Sequence, residues 1–235
     1  RTLYGDRPIY YTLDGSEPTA SSTKYEGPFP LERSATIRAI SYNEYGEGVI
    51  SEQYLLSHLA MGAKIKLNTP YSTYRSIYSG GGEDALIDGQ RGSNTTYADG
   101  HWQGYWGDSI DVTIDFGGPR EMHEVSMRFM QNAFDWILAP RDMRIYVSDD
   151  NREWRFIPTH TYEMDPRETG MRLKQYRMEI EEVNEKEVEK MKKAQRGSSE
   201  FLFPTRPPTV RYLRVVVPNP GPLPSWHPAP GQPSY

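Results

Sequence analysis

The chain has no cysteine in its 235 residues, which excludes a disulfide framework, a thiolate metal site and a cysteine nucleophile. It also has no excess of positive charge. Its 27 Lys and Arg stand against 32 Asp and Glu, for a formal charge of −5, and such a balance argues against a nucleic-acid or anionic-membrane surface. No run approaches the roughly 20 apolar residues of a membrane-spanning helix. Histidine is sparse, and His58, His101, His123, His160 and His227 show no metal-ligand spacing of the H-E-x-x-H kind. There is no P-loop and no G-x-S-x-G elbow. The adjacent acids Glu83-Asp84, Asp149-Asp150 and Glu181-Glu182 would point to opposite faces of a strand and are read as solvent charges. Gly80-Gly81-Gly82 is too short to cradle phosphate, and Asn94-Thr95-Thr96 fits a glycosylation acceptor only as chance would. The chain opens at Arg1 rather than at methionine, and it reads as a piece excised from something larger.

What is present is aromatic and interrupted. The 17 Tyr, 7 Phe and 5 Trp, with 20 Gly and 19 Pro, favour short strands and many turns over long helices. Ile9, Tyr11 and Leu13 share one face of an extended run that ends in the turn formers Asp14-Gly15-Ser16. Ala35 to Ala39 and Val49 to Leu56 continue the pattern, so residues 1–57 read as a small β-unit with too few strands to close by itself. After a linker at 58–61 the texture changes. Ile110-Asp111-Val112-Thr113-Ile114-Asp115-Phe116 alternates strictly, apolar inward and polar outward, and is closed by Gly117-Gly118-Pro119. The same period recurs at Val125–Phe129, Met143–Val147 and Leu213–Val217. These runs, separated by long loops, predict an all-β chain whose larger part, 62–235, is an antiparallel sandwich or jelly roll. One helical insertion is expected near 184–196, where Glu182/Lys186 and Glu189/Lys193 are spaced i,i+4.

Large rings in loops carry the functional expectation. Trp102, Tyr105 and Trp106 sit in the polar, Gly-rich stretch 101–107, and Trp226-His227 sits in another loop near the end. Such rings form platforms on which the apolar face of a sugar stacks while neighbouring amides and imidazoles bond its hydroxyls. The expected carbohydrate site is Trp106 and Trp226 as platforms, with Tyr105, Gln131, Asn132 and His227 as polar or rim partners. Trp102 and Trp136 are expected to plug the ends of the sandwich instead.

Two family resemblances attach to particular residues. Ile9 to Thr19, with its Y-T-x-D-G-S-x-P core, Tyr25-Glu26-Gly27-Pro28-Phe29 and Thr36-Ile37-Arg38-Ala39 resemble the small immunoglobulin-like β-domain that follows the catalytic barrel of chitobiases and β-hexosaminidases. The resemblance implies that its first strand lies before Arg1. Ala85-Leu86-Ile87-Asp88-Gly89, Trp102 to Tyr105, Val112 to Gly117, Trp136-Ile137 with Pro140, Tyr146 to Asp150, and Val210 to Val215 resemble the discoidin-like domain. That family is also called the coagulation factor 5/8 C-terminal type, and it includes family 32 carbohydrate-binding modules.

The order of the two modules resembles the tail of a family 20 glycoside hydrolase, a β-N-acetylhexosaminidase of the kind Bacteroides-like bacteria export to the periplasm or surface. The resemblance implies a non-catalytic tail that binds a glycan of terminal galactose or N-acetylhexosamine type, with the catalytic domain upstream. The adjacent Asp-Glu pair of that family's barrel is not in this chain. The alternative is a bracing or dimerisation module that binds no sugar. The resemblance further implies a structural calcium at the D-G loop, with Asp88 as carboxylate and Ser93, Asn94 and Thr95 as further oxygen donors. It also implies a last strand, carrying a further Glu ligand, that this sequence does not contain.

Overall fold

The computed structural model describes residues 5–159, 161–162, 165, 167–168, 170–180, 182–183 and 205–235. It is all-β, and its only helical elements among the described residues are short 3₁₀ turns. The helical insertion expected near 184–196 lies outside them.

The N-terminal unit is one antiparallel sheet of β1 (Tyr10–Thr12), β2 (Thr23–Lys24), β3 (Ala35–Tyr42) and β4 (Gly48–Leu55), ordered β2-β1-β3-β4. Asp14 Oδ1 accepts from the Ser16 amide and hydroxyl, which sets the turn that the D-G-S sequence announced. On one side Tyr11 stacks on Phe29 at 5.1 Å and Tyr25 meets both edge-on.

The larger unit holds β5 (Lys64–Leu67), β6 (Ile110–Glu121), β7 (Glu124–Gln131), β8 (Arg144–Ser148), β9 (Arg155–Ile157), β10 (Arg172–Glu179), β11 (Glu182–Val183), β12 (Thr205–Arg206) and β13 (Thr209–Val217). A five-stranded sheet, β5-β6-β13-β8-β9, faces the pair β10-β7, and β11 pairs with β12. Alternation places Val112, Ile114 and Phe116 of β6 and Leu213, Val215 and Val217 of β13 in the core with Met143, Ile145 and Val147. Phe129 and Tyr176 meet them from β7 and β10, their rings 4.8 Å apart. On the outer face the polar half of β6 is paired across the strands. Arg214 donates to both oxygens of Asp111 at 2.9 and 2.6 Å, and Arg211 to both of Asp115 at 2.9 and 3.0 Å. A bulge accommodates the mismatch beyond them. Tyr212 pairs with Asp115 but Val210 with Arg120, so Phe116 to Pro119 loop out of register and both Val210 and Leu213 point inward.

The two units meet at the D-G loop. The Leu56 amide donates to Gly89 O at 2.8 Å, and Arg91 lies over the Tyr54 ring at 5.7 Å. Gly89 is left-handed at φ 79°, and a Cβ there would sit 2.7 Å from Leu56 O, so only glycine fits both requirements.

A cavity of about 530 Å³ lies between the five-stranded sheet and β7, bounded by the 89–92 and 101–105 loops and by Tyr235.

Candidate carbohydrate-binding rim

Three loops converge at one end of the sandwich: 101–109 before β6, 132–143 between β7 and β8, and 218–235 after β13. Backbone bonds lace them together. Gly107 N donates to Ser234 O at 2.8 Å, Tyr235 N to Trp136 O at 2.8 Å, and Leu138 N to Tyr235 O at 3.0 Å. Asn219 N reaches Ser109 Oγ at 3.0 Å, and Ser234 Oγ reaches Gly221 O at 2.7 Å. The platform is therefore held by main chain on every side, which fixes the rings before any ligand arrives.

On this base the rings form a continuous series. Trp106 stacks on Trp136 with centroids 5.5 Å apart and planes at 18°, and it touches Tyr235 at 4.7 Å. Trp136 meets His227 edge-on at 6.0 Å, and His227 meets Trp226 at 5.9 Å. Trp106 and Trp226 are each 36% exposed, so both indoles keep a face to solvent. Trp136 is half-buried and takes a left-handed backbone at φ 66°, set by the 3₁₀ turn Ala133–Asp135 and the Asn132–Ile137 bridge.

The polar residues expected to accompany the rings fall in different places. Tyr105 is 5% exposed, and its hydroxyl donates to Gln103 Oε1 at 2.7 Å. Burial pushes that phenol well above the usual tyrosine range, with Tyr71 adding to it. Gln131 is buried, and its amide donates to Asp165 O at 3.1 Å and Glu168 O at 3.4 Å, so it ties the β7 terminus to the 165–168 segment. Asn132 is half-buried at the rim, and its amide donates to Asp135 Oδ2 at 2.5 Å. His227 is buried beneath the indoles. Its Nδ1 accepts the Ala229 amide at 3.0 Å, while Nε2 is buried with no hydrogen-bond partner among the described residues.

Trp102 sits away from this rim. Its indole lies on Gly92, where a Cβ would come within 2.2 Å of Nε1, and Nε1 donates to Ser93 O at 3.2 Å. Arg128 lies over the ring at 5.0 Å from its centroid and also donates to Gly92 O. Three residues of the rim escaped sequence reasoning. Trp136 reads in sequence as an end plug, Tyr235 carries no signal beyond its identity, and Phe134, 60% exposed at the tip of the 132–137 turn, lies in a segment whose pattern announces only a turn.

The D-G loop donors are committed within the loop. Asp88 Oδ1 accepts from Gln90 N at 2.8 Å and Oδ2 from Gln90 Nε2 at 3.1 Å. Ser93 Oγ pairs with Thr95 Oγ1 at 3.0 Å, and Ser93 N donates to Asp99. Among the described residues no three His, Asp or Glu side chains are grouped to hold a metal ion.

The profile of the F5/8 type C domain family matches residues 69–230, and that of the Fn3-associated family matches residues 2–54. A search of curated proteins finds no match. Among solved structures, the C-terminal domain of a chitobiase from Bacteroides fragilis is similar at 14% identity and a TM-score of 0.29, covering 72% of this chain and 87% of that one. A fucolectin from the serum of the striped bass, Morone saxatilis, is similar at 11% identity and a TM-score of 0.31, covering 90% of this chain and 67% of that one.

Proposed function

We propose that this chain, which belongs to the F5/8 type C domain family, is a non-catalytic carbohydrate-binding tail. It would hold an exported β-N-acetylhexosaminidase, of which it is a part, near its glycan substrates at the cell surface or in the periplasm. The observation that carries the reading is the Trp106–Trp136–Tyr235 stack, with Trp226 beside it across His227. Trp106 and Trp226 are the exposed platforms, and Asn132 is the amide at the rim. Two half-exposed indoles on a rigid base suit the apolar face of a pyranose. Neither indole lines the inter-sheet cavity, and the proposed site is a platform of exposed rings. It therefore suits one terminal galactose or N-acetylhexosamine unit bound weakly, with function gained by tethering the enzyme.

Isothermal titration with galactose, N-acetylglucosamine and N-acetylgalactosamine tests it. Binding with Kd on the order of millimolar is expected, because a monosaccharide offers few atoms. Silence across a broad glycan array would remove the reading. A bracing role is the second reading, and the N-terminal sheet favours it: Leu13, Tyr25 and Phe29 are each about 40% exposed beside the Tyr11 ring, a composition suited to a protein interface. Deleting 62–235 from the parent enzyme separates the two. Loss of adhesion to polymeric glycan with stability intact favours binding, and lost stability with unchanged soluble-substrate kinetics favours bracing.

A further inference from the structure

The three rim loops carry two exposed carboxylates, Asp108 and Asp135, and no Lys or Arg in 101–109, 132–139 or 218–235. Positive charge reaches the rim from a fourth loop, residues 69–78. Ser72 N donates to Gly104 O at 2.7 Å, and Gly104 N donates to Tyr78 O at 2.9 Å, so the loop is bonded to the 101–109 segment at two points. The Ser72 hydroxyl lies 3.4 Å from both the Tyr235 hydroxyl and the Tyr74 amide, and the Tyr78 ring packs on Tyr235 at 4.6 Å. Since Tyr235 touches Trp106, one ring separates this loop from the proposed sugar platform.

Tyr74 and Arg75 are uncovered together on that loop. Tyr74 is 76% exposed, and Arg75, also exposed, holds its guanidinium 5.6 Å from the Tyr74 ring centroid. No carboxylate pairs with Arg75 among the described residues. Its charge is felt within the rim: burial holds the Tyr78 phenol above the ordinary tyrosine range, Tyr235 adds to this, and Arg75 acts against it. Stacking on the ring orients the guanidinium, whose donor fork matches a carboxylate or sulfate. The phenol ring beside it offers apolar surface to a pyranose.

We propose that Tyr74 and Arg75 form a second subsite, which takes a sugar unit bearing one carboxylate or sulfate group next to the unit on Trp106. The inference rests on the reading of Trp106 as a sugar platform. A single guanidinium suits a single anionic substituent, while the net charge of −5 opposes a polyanion. Asp108 and Asp135 fix the polarity, because they disfavour an anion among the indoles. The neutral terminal unit therefore lies on Trp106 and the acidic unit that follows it lies at Arg75.

Titration calorimetry with three disaccharides tests it: N-acetylglucosamine linked to glucuronic acid, N-acetylglucosamine linked to glucose, and the latter with one sulfate ester on the glucose. At least one acidic probe should bind about fivefold or more tightly than the neutral one at low salt. That advantage should shrink as salt is raised to about 0.5 M. The acidic probe that gains more identifies the anion as carboxylate or sulfate. Arg75→Gln should bring the affinities together, and Arg75→Lys should keep part of the difference, since it retains the charge without the fork. Equal affinity for acidic and neutral probes, or a preference that survives Arg75→Gln, overturns the subsite; the platform still stands if Trp106→Ala weakens binding of both. Acidic binding that is lost in Arg75→Gln but untouched by Trp106→Ala would keep the anion site and remove the platform. Silence from every probe overturns both.

Discussion

At the scale of single residues, the alternation in β6 was readable because burial on one face leaves a period-two trace in composition. Trp106 and Trp226 were readable only as large rings in polar loops. Trp136 was not, because its role depends on a left-handed backbone and on a neighbour 30 positions earlier in the chain. Removing one exposed platform should weaken sugar binding without touching the core. Trp106→Ala is expected to cost roughly 1 kcal/mol of binding, about fivefold in Kd by titration, with circular dichroism unchanged. Trp102 behaves in the opposite way. Because its indole lies against Gly92, Gly92→Ala forces the ring off its seat and should cost about 1–3 kcal/mol of folding stability, read as a fall in the denaturation midpoint. Equal stability of that variant would show that the ring has room to move.

At the scale of elements, two cross-strand pairs make the outer face of β6 and β13 sensitive to acid. The Arg214 guanidinium holds the Asp111 carboxyl below the usual carboxylate range, with Asn68 assisting, and Arg211 does the same for Asp115. Each carboxyl is lowered in the folded state, so its contribution is complete above an unfolded value of about 3.9. It is lost as pH falls through the lower folded value. Arg214→Ala should cost about 1 kcal/mol at neutral pH, and the difference from the parent should vanish in acid, as urea titrations at both pH values would show.

The junction between the units responds at milder pH. Burial holds the His58 imidazole below its ordinary value, Arg91 adds to this, and Asp88 opposes it. The unfolded chain then takes up that proton first, so stability declines as pH falls below about 6.5 and levels off once the folded imidazole is also protonated. His58→Gln should flatten that part of the profile. The family resemblance implies a calcium ion at the same D-G loop, where Asp88 accepts from Gln90 and the Ser93 and Thr95 hydroxyls bond each other. Calcium should therefore shift Tm by less than about 2 °C even at a large excess over millimolar, and a larger shift would show that the loop rearranges around an ion.

At the scale of the whole molecule, the all-β class and strands β6, β7, β8 and β13 were legible. β10 was not. In Arg172–Glu179 only Tyr176 and Met178 are deeply buried, so its composition stays polar. β5 and β9 are too short to stand out from loops. The meeting of three distant loops was likewise invisible, since backbone bonds such as Gly107 to Ser234 and Leu138 to Tyr235 leave no mark on residue type. The proposed sugar surface rests on that convergence, since the loops that end the sandwich bring the aromatic rings together.

The most direct test follows the indole N–H resonances of Trp102, Trp106, Trp136 and Trp226 by NMR while galactose, N-acetylglucosamine and N-acetylgalactosamine are titrated in. Saturable shifts at Trp106 and Trp226, smaller ones at Trp136 and none at Trp102 are expected for at least one of the sugars. Resonances that stay fixed for all three, or that move first at Trp102, would contradict the assignment of the rim as the binding surface.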